Sequence, residues 1–173
     1  MLLVIIKNLY ILVLSRCITN LIITKMSSYR QLLYHLVFRT KDSLPTIKQD
    51  NVSQLYAYIT GIVKNKDSHL YRINGVENHL HILTDLHPSI ALADFMREIK
   101  ASSSLWMKNS NFFPDFNGWA EGYCAITCSY FNTIKIVEYI INQQEHHRKK
   151  SFEEEYRSLL IEAGLKIDEK YFP

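Results

Sequence analysis

Hydrophobic and polar positions along the chain change period several times, and each change predicts an element. Gln31 to Arg39 is dense in Leu, Tyr, Val and Phe and is closed by the polar, Pro-containing run from Lys41 to Thr46, which predicts a first strand. Val52, Leu55, Tyr56, Ile59, Ile62 and Val63 then recur three and four apart, so one apolar face of a helix is expected from about Lys48 to Lys66. His69 to Val76 and His79 to Leu86 are two strand-like runs separated by Glu77 and Asn78, as in a hairpin. A second helix is expected after Ser89, its cap, with Leu92, Phe95, Met96, Ile99 and Trp106 facing the core.

A loop with Pro114 and Gly118 leads to a fourth strand, Tyr123 to Tyr130, and Asn132 or Thr133 begins a third helix reaching about His147. Ser151 and Glu154 have the spacing of a capping box and open a last helix that ends at Gly164. The order is β-α-β-β-α-β followed by helices. That predicts an α+β, ferredoxin-like split β-α-β fold: a four-stranded antiparallel sheet with helices on one face, plus a C-terminal helix. Many unrelated functions use this fold, so function must be read from a site.

Composition changes the picture mainly at the N-terminus. Residues 1–25 hold 17 apolar residues, with Lys7, Asn8, Arg16 and Asn20 interrupting the run. No stretch therefore reaches the roughly 18 consecutive apolar residues of a spanning helix, and the features of a secretory signal are missing. We expect an apolar extension over 1–25, read as sequence upstream of a start at Met26, with a weak anchor or an amphipathic appendage as alternatives. The domain itself is expected over 26–173, in the cytoplasm and without a membrane partner.

The net charge of +3 is carried by the same segment, which contains Lys7, Arg16 and Lys25 and no acid. The remainder is balanced, so bulk charge gives no argument for nucleic acid; only local clusters could. Arg39 with Lys41, Lys64 with Lys66, and His147, Arg148 and Lys149 at a helix end are the candidates, although cations at a helix C-terminus also suit its dipole. Cys17, Cys124 and Cys128 show no CxxC spacing, which argues against a disulfide framework or a zinc site.

Two constellations carry chemistry. His79 and His81 lie two apart in a strand, so both imidazoles leave the same side about 7 Å apart at Cα and can grip one metal ion, while Leu80 points into the core. Tyr139 and Gln143 lie four apart and stack on one side of a helix. Bringing a phenol to phenolate at neutral pH costs about 4 kcal/mol, which a divalent cation could offset, and Gln143 offers a neutral oxygen to the same ion. With seven histidines in 173 residues, roughly 0.3 His-x-His pairs arise by chance, and Tyr-x-x-x-Gln is no rarer. Each half is weak alone.

Their order is more specific. A His-x-His strand, then helix, strand and a Tyr-x-x-x-Gln helix, resembles the HUH-type single-tyrosine transposases of the insertion sequence 200/605 class. The likeness extends through SSYRQLLYHLVFRTK, GVENHLHIL, FMREIKASSSLWMK, WAEGYCAITCS and VEYIINQQEHHRKKSFEEEY, and covers nearly all of residues 27–160. The resemblance implies that Tyr139 attacks single-stranded DNA and becomes joined to a 5′ phosphate, with Mg²⁺ or Mn²⁺ held by His79, His81 and Gln143. It also implies a homodimer, with the tyrosine helix possible in exchange between protomers, and DNA with hairpin ends as ligand; no nucleotide cofactor is needed. Ala120 and Cys124 depart from residues common in relatives and bear on DNA fit more than on chemistry. The alternatives are a non-catalytic hairpin-DNA or RNA-binding relative, and a metal-dependent phosphoesterase using water, for which the sequence shows no paired carboxylates near the histidines.

Overall fold

The computed structural model describes residues 29–169 and 172; the apolar extension expected over 1–25, and its boundary, lie outside them. Four strands form one sheet: β1 (Leu33–Arg39), β2 (His69–Val76), β3 (His79–Asp85) and β4 (Cys124–Thr127). Their order is β2-β3-β1-β4, and every neighbouring pair is antiparallel. The helices are α1 (Val52–Asn65), α2 (Leu92–Asn109), α3 (Thr133–Ile141), α4 (Gln143–His147) and α5 (Phe152–Glu162). This is the expected ferredoxin-like α+β arrangement.

The strand period of two divides the sheet into faces with different tasks. Leu36 and Phe38 of β1, Ile73 of β2, and Leu80 and Ile82 of β3 pack with Leu55, Ile59 and Val63 of α1 and Phe95, Met96 and Ile99 of α2 in the main core. On the other face the register sets His81 between Val37 and Asn74, and His79 between Arg39 and Val76. That face is covered by the C-terminal helices, which bury Ile140, Gln143 and Glu155 against it.

Several boundaries differ from expectation for local reasons. Helix α2 begins at Leu92 after Ala91, which offers no side-chain cap, because Ser89 Oγ is taken by His87 Nδ1 at 2.7 Å. Strand β4 ends at Thr127 because Ser129 accepts from Phe131 N and caps a 3-10 turn at Tyr130–Asn132, which starts the chain toward α3. The expected third helix is divided at Asn142 into α3 and α4. The aromatic loop anchors itself: Phe113 and Phe116 are buried, and Trp119 meets Phe38 edge to face at 4.7 Å while donating to Ser103 Oγ at 3.0 Å.

The last helix opens as its sequence predicts. Ser151 Oγ accepts from Glu154 N at 3.2 Å and Glu154 Oε2 accepts from Ser151 N at 2.9 Å, a complete capping box, and Gly164 beyond the helix adopts φ +68°. Ser151→Ala should lower stability by about 1 kcal/mol, since it strips an orphan amide of its partner. Urea unfolding midpoints of the two proteins check this.

Candidate active site

The site forms where β2 and β3 meet the C-terminal helices. His79 Nδ1 lies 2.8 Å from Asn78 Oδ1, the turn residue just before it. A ring N–H is the only donor this pair can supply toward that oxygen if the amide is oriented as found, so His79 Nε2 is left with its lone pair facing inward. Asn78 thus serves the hairpin turn and also orients a histidine. His81 Nδ1 lies 3.0 Å from His35 Nε2 on β1, which again leaves Nε2 as the inward nitrogen. Such outer partners are what fix ligating imidazoles in orientation and tautomer.

Both inward nitrogens point to the carboxylate of Glu155 on α5. Glu155 Oε2 is 3.3 Å from His79 Nε2 and 3.6 Å from His81 Nε2, and 2.8 Å from His147 Nε2. The first two are close approaches without aligned hydrogen bonds: His79 Nε2, His81 Nε2 and Gln143 Oε1 are buried and have no hydrogen-bond partner. Glu155 Oε1 accepts from the Tyr139 hydroxyl and, at 2.9 Å, from Gln143 Nε2. One buried carboxylate therefore touches the histidine pair with one oxygen and the tyrosine with the other.

The helix that carries Tyr139 is held to the sheet by a residue of β2. Asn74 Nδ2 donates to the carbonyl oxygens of Ile140 at 2.8 Å and Ile141 at 3.0 Å, the last two residues of α3. Those carbonyls are among the orphan acceptors of a helix end, so the same amide that secures Tyr139 beside His81 also marks the division of the helix at Asn142. Gln144 adds a bond from Nε2 to Gly75 O at 3.1 Å. The Tyr139 ring then sits edge-on to His81 at 5.7 Å and to His35 at 6.0 Å between centroids.

Burial dominates the electrostatics. It pushes the His35 pKa down to about 3, helped by His81, and that of His79 to about 4, so both rings are neutral. The Tyr139 phenol is pushed well above its ordinary value, by burial first and then by the Glu155 charge and hydrogen bond. For Glu155, burial acts to raise the pKa, but the hydrogen bond from His147 and the close approach of the His79 and His81 rings outweigh it, so the carboxyl is held well below its ordinary value and ionised. The tyrosine is therefore a protonated donor to an anion.

The donor set fits a divalent metal. His79, His81 and Glu155 are a buried group of three metal-capable side chains, the only such group among the described residues. A cation at the usual distance of about 2.0–2.2 Å from each ligand sets neighbouring ligand atoms roughly 3.0–3.5 Å apart, close to the 3.3 and 3.6 Å at which Glu155 Oε2 meets the two imidazoles.

The model of the family described as Transposase IS200 like matches residues 28–143. This chain belongs to that family. Two solved structures share the fold of this IS200-like transposase. A candidate transposase from Deinococcus radiodurans R1 is 24% identical, with a TM-score of 0.54 over 68% of this chain and 94% of that one. The REP-associated tyrosine transposase bound to a REP hairpin is 15% identical, with a TM-score of 0.55 over 70% of this chain and 74% of that one. No curated protein matches in sequence.

Within the IS200-like chain, His79, His81, Tyr139 and Gln143 come together as their spacing suggests, but the proposed DNA contacts scatter. Arg39 Nη1 donates to Ser43 Oγ at 3.1 Å, Lys41 is exposed, and Arg148 and Lys149 pair with Glu145 at 2.9 and 3.4 Å. His147 turns inward to Glu155 instead of outward to solvent. Glu155, Asn74 and His35 were not anticipated as site residues. A polar Asn inside the RINGV strand and a Glu on the same helix face as Phe152, Tyr156 and Leu159 were the available signals.

Proposed function

We propose that this transposase nicks and rejoins single-stranded DNA at hairpin-bearing ends through a 5′-phosphotyrosine intermediate on Tyr139. The observation that carries this reading is the shared carboxylate: the Tyr139 hydroxyl and the two inward histidine nitrogens converge on opposite oxygens of Glu155, so one side chain joins the tyrosine to the histidine pair. Bound Mg²⁺ or Mn²⁺ would supply polarisation of the scissile phosphate and offset the cost of ionising the phenol.

The chain's own residues do the rest. His79 and His81 would hold the ion through Nε2, the rings fixed by Asn78 and His35, and Gln143, whose buried Oε1 has no partner, would offer a neutral oxygen. Asn74 holds the end of α3 so that Tyr139 stays next to His81. In the first step a bond forms between Tyr139 Oη and phosphorus, the bond from phosphorus to the 3′ oxygen breaks, and the proton lost by the phenol is balanced by one gained at the released 3′ hydroxyl. Rejoining reverses this and needs no nucleotide cofactor, because the phosphotyrosine ester keeps the energy of the broken bond.

Hairpin DNA as ligand is supported by the relative solved with a REP hairpin. A homodimer is part of the reading. Since one chain already brings its own Tyr139 to its own His79 and His81, exchange of the tyrosine helix is not required to complete the site. No helix among the described residues is long and apolar enough to cross a membrane, and we place the protein with its DNA in the cytoplasm.

The test is direct. Purified protein with Mn²⁺ and a single-stranded oligonucleotide carrying a hairpin end should give a denaturation-resistant protein–DNA adduct and a free 3′ hydroxyl. Chelation with EDTA should abolish the adduct while the hairpin still shifts in a native gel. Cleavage without any adduct would point to water as nucleophile and sink the proposal.

A further inference from the structure

The carboxylate at the centre of this site comes from outside the segment that the family model matches. That match ends at residue 143, whereas Glu155 lies in the first turn of α5. First-turn acids usually serve the helix dipole from solvent, as the exposed Glu153 and Glu154 can. Glu155 instead is 2% exposed, at a depth where an unneeded charge would be costly.

Three observations say what this charge is for. The inward nitrogens of His79 and His81 are buried and unpartnered, although Glu155 Oε2 lies only 3.3 and 3.6 Å away. A ring nitrogen that turns its lone pair to the carboxylate across such a gap is repelled by it, and a cation that all three groups can ligate removes the repulsion. The second oxygen, Oε1, is committed to Tyr139 and Gln143. Phe152, one turn earlier on α5, lies over His79 at 4.3 Å between centroids, so the helix is seated on the metal strand by packing as well.

From this we infer that Glu155 is the anionic ligand of the metal and a bridge to the nucleophile, one oxygen on the ion and the other on the Tyr139 hydroxyl, which makes α5 part of the active centre. The inference rests on the reading of His79 and His81 as metal ligands. It adds that the ion orders α5, and that tyrosine and metal are tied by one side chain.

Mn²⁺ itself is the probe, since imidazoles with a carboxylate suit it. Calorimetric titration of the full chain should give one site per protomer. Glu155→Gln, nearly isosteric, should weaken binding about 100-fold, the most that losing a supporting group costs. Glu153→Gln, an exposed acid on the same turn, should change it by less than twofold, and His79→Ala should abolish it. Hydrogen exchange gives a readout independent of catalysis: saturating Mn²⁺ should slow exchange of α5 amides in the wild type and not in His79→Ala.

Wild-type affinity in Glu155→Gln, or no effect of Mn²⁺ on α5, would overturn the bridging ligand while leaving the histidine site standing. A wild type that binds no Mn²⁺ would remove both. Should Glu155→Gln fail to fold, the α5 protection in wild type against His79→Ala decides alone.

Discussion

Tyr139→Phe should form no covalent adduct with a hairpin-ended oligonucleotide, and strand cleavage should fall by at least ~10⁴-fold, to the detection limit. The substitution removes one oxygen and keeps the ring. Its edge contacts with His81 and His35 persist, and α3 is still held by Asn74, so the fold and hairpin binding should be unchanged. Glu155 Oε1 loses one donor but retains Gln143 Nε2. A gel shift beside a denaturing gel separates the two properties. An adduct of wild-type yield from the variant would show that another side chain attacks, and His147 could not take that place without leaving Glu155 Oε2.

Gly75→Ala should be the most damaging small substitution in the sheet. A Cβ at that position would lie 2.1 Å from the His79 carbonyl oxygen, 2.8 Å from Leu80 Cδ2 and 3.0 Å from Leu80 Cα. Two of those atoms are backbone, so no side chain can swing aside and β2 must part from β3. The expected cost is roughly 3 kcal/mol or more, a fall in melting temperature of about 6–12 °C for a domain of this size. Function should suffer further, because the damage lies between Asn74, which holds the tyrosine helix, and His79. Gly61→Ala is the control. It lies inside α1 with nothing within 4 Å of the added methyl, and should stabilise by about 0.5–1 kcal/mol. Thermal melts of the two variants should therefore move in opposite directions.

What could be read from the chain beforehand was what periodicity encodes. The strands and helices follow from alternation and from three-and-four spacing, and the placement of Leu80 opposite the two histidines follows from the strand period. Tyr139 and Gln143 share a helix side for the same reason. The residues that escaped notice act through contacts distant in sequence. Glu155 is 76 and 74 residues from the histidines it meets, and its neighbours Glu153 and Glu154 make it look like one more acid at a helix start. Asn74 lies in the expected strand His69 to Val76, and nothing local marks its partners, the carbonyls of Ile140 and Ile141, which are 66 and 67 residues away. The division of the helix at Asn142 has no Gly or Pro to announce it; the side chain that accompanies it is on another element.

The two-sided use of β3 has an implication for how this chain can vary. His79 and His81 face the C-terminal helices while Leu80 and Ile82 face α1 and α2. Substitutions can be tolerated one side at a time. Losing or gaining one residue in this strand exchanges the sides wholesale, sending imidazoles into the oil of the core and leucines toward the C-terminal helices. The reading frame of the strand, more than the identity of any single member, is therefore what descent must preserve: length changes belong in the loops, and β3 should be the stretch where they never occur.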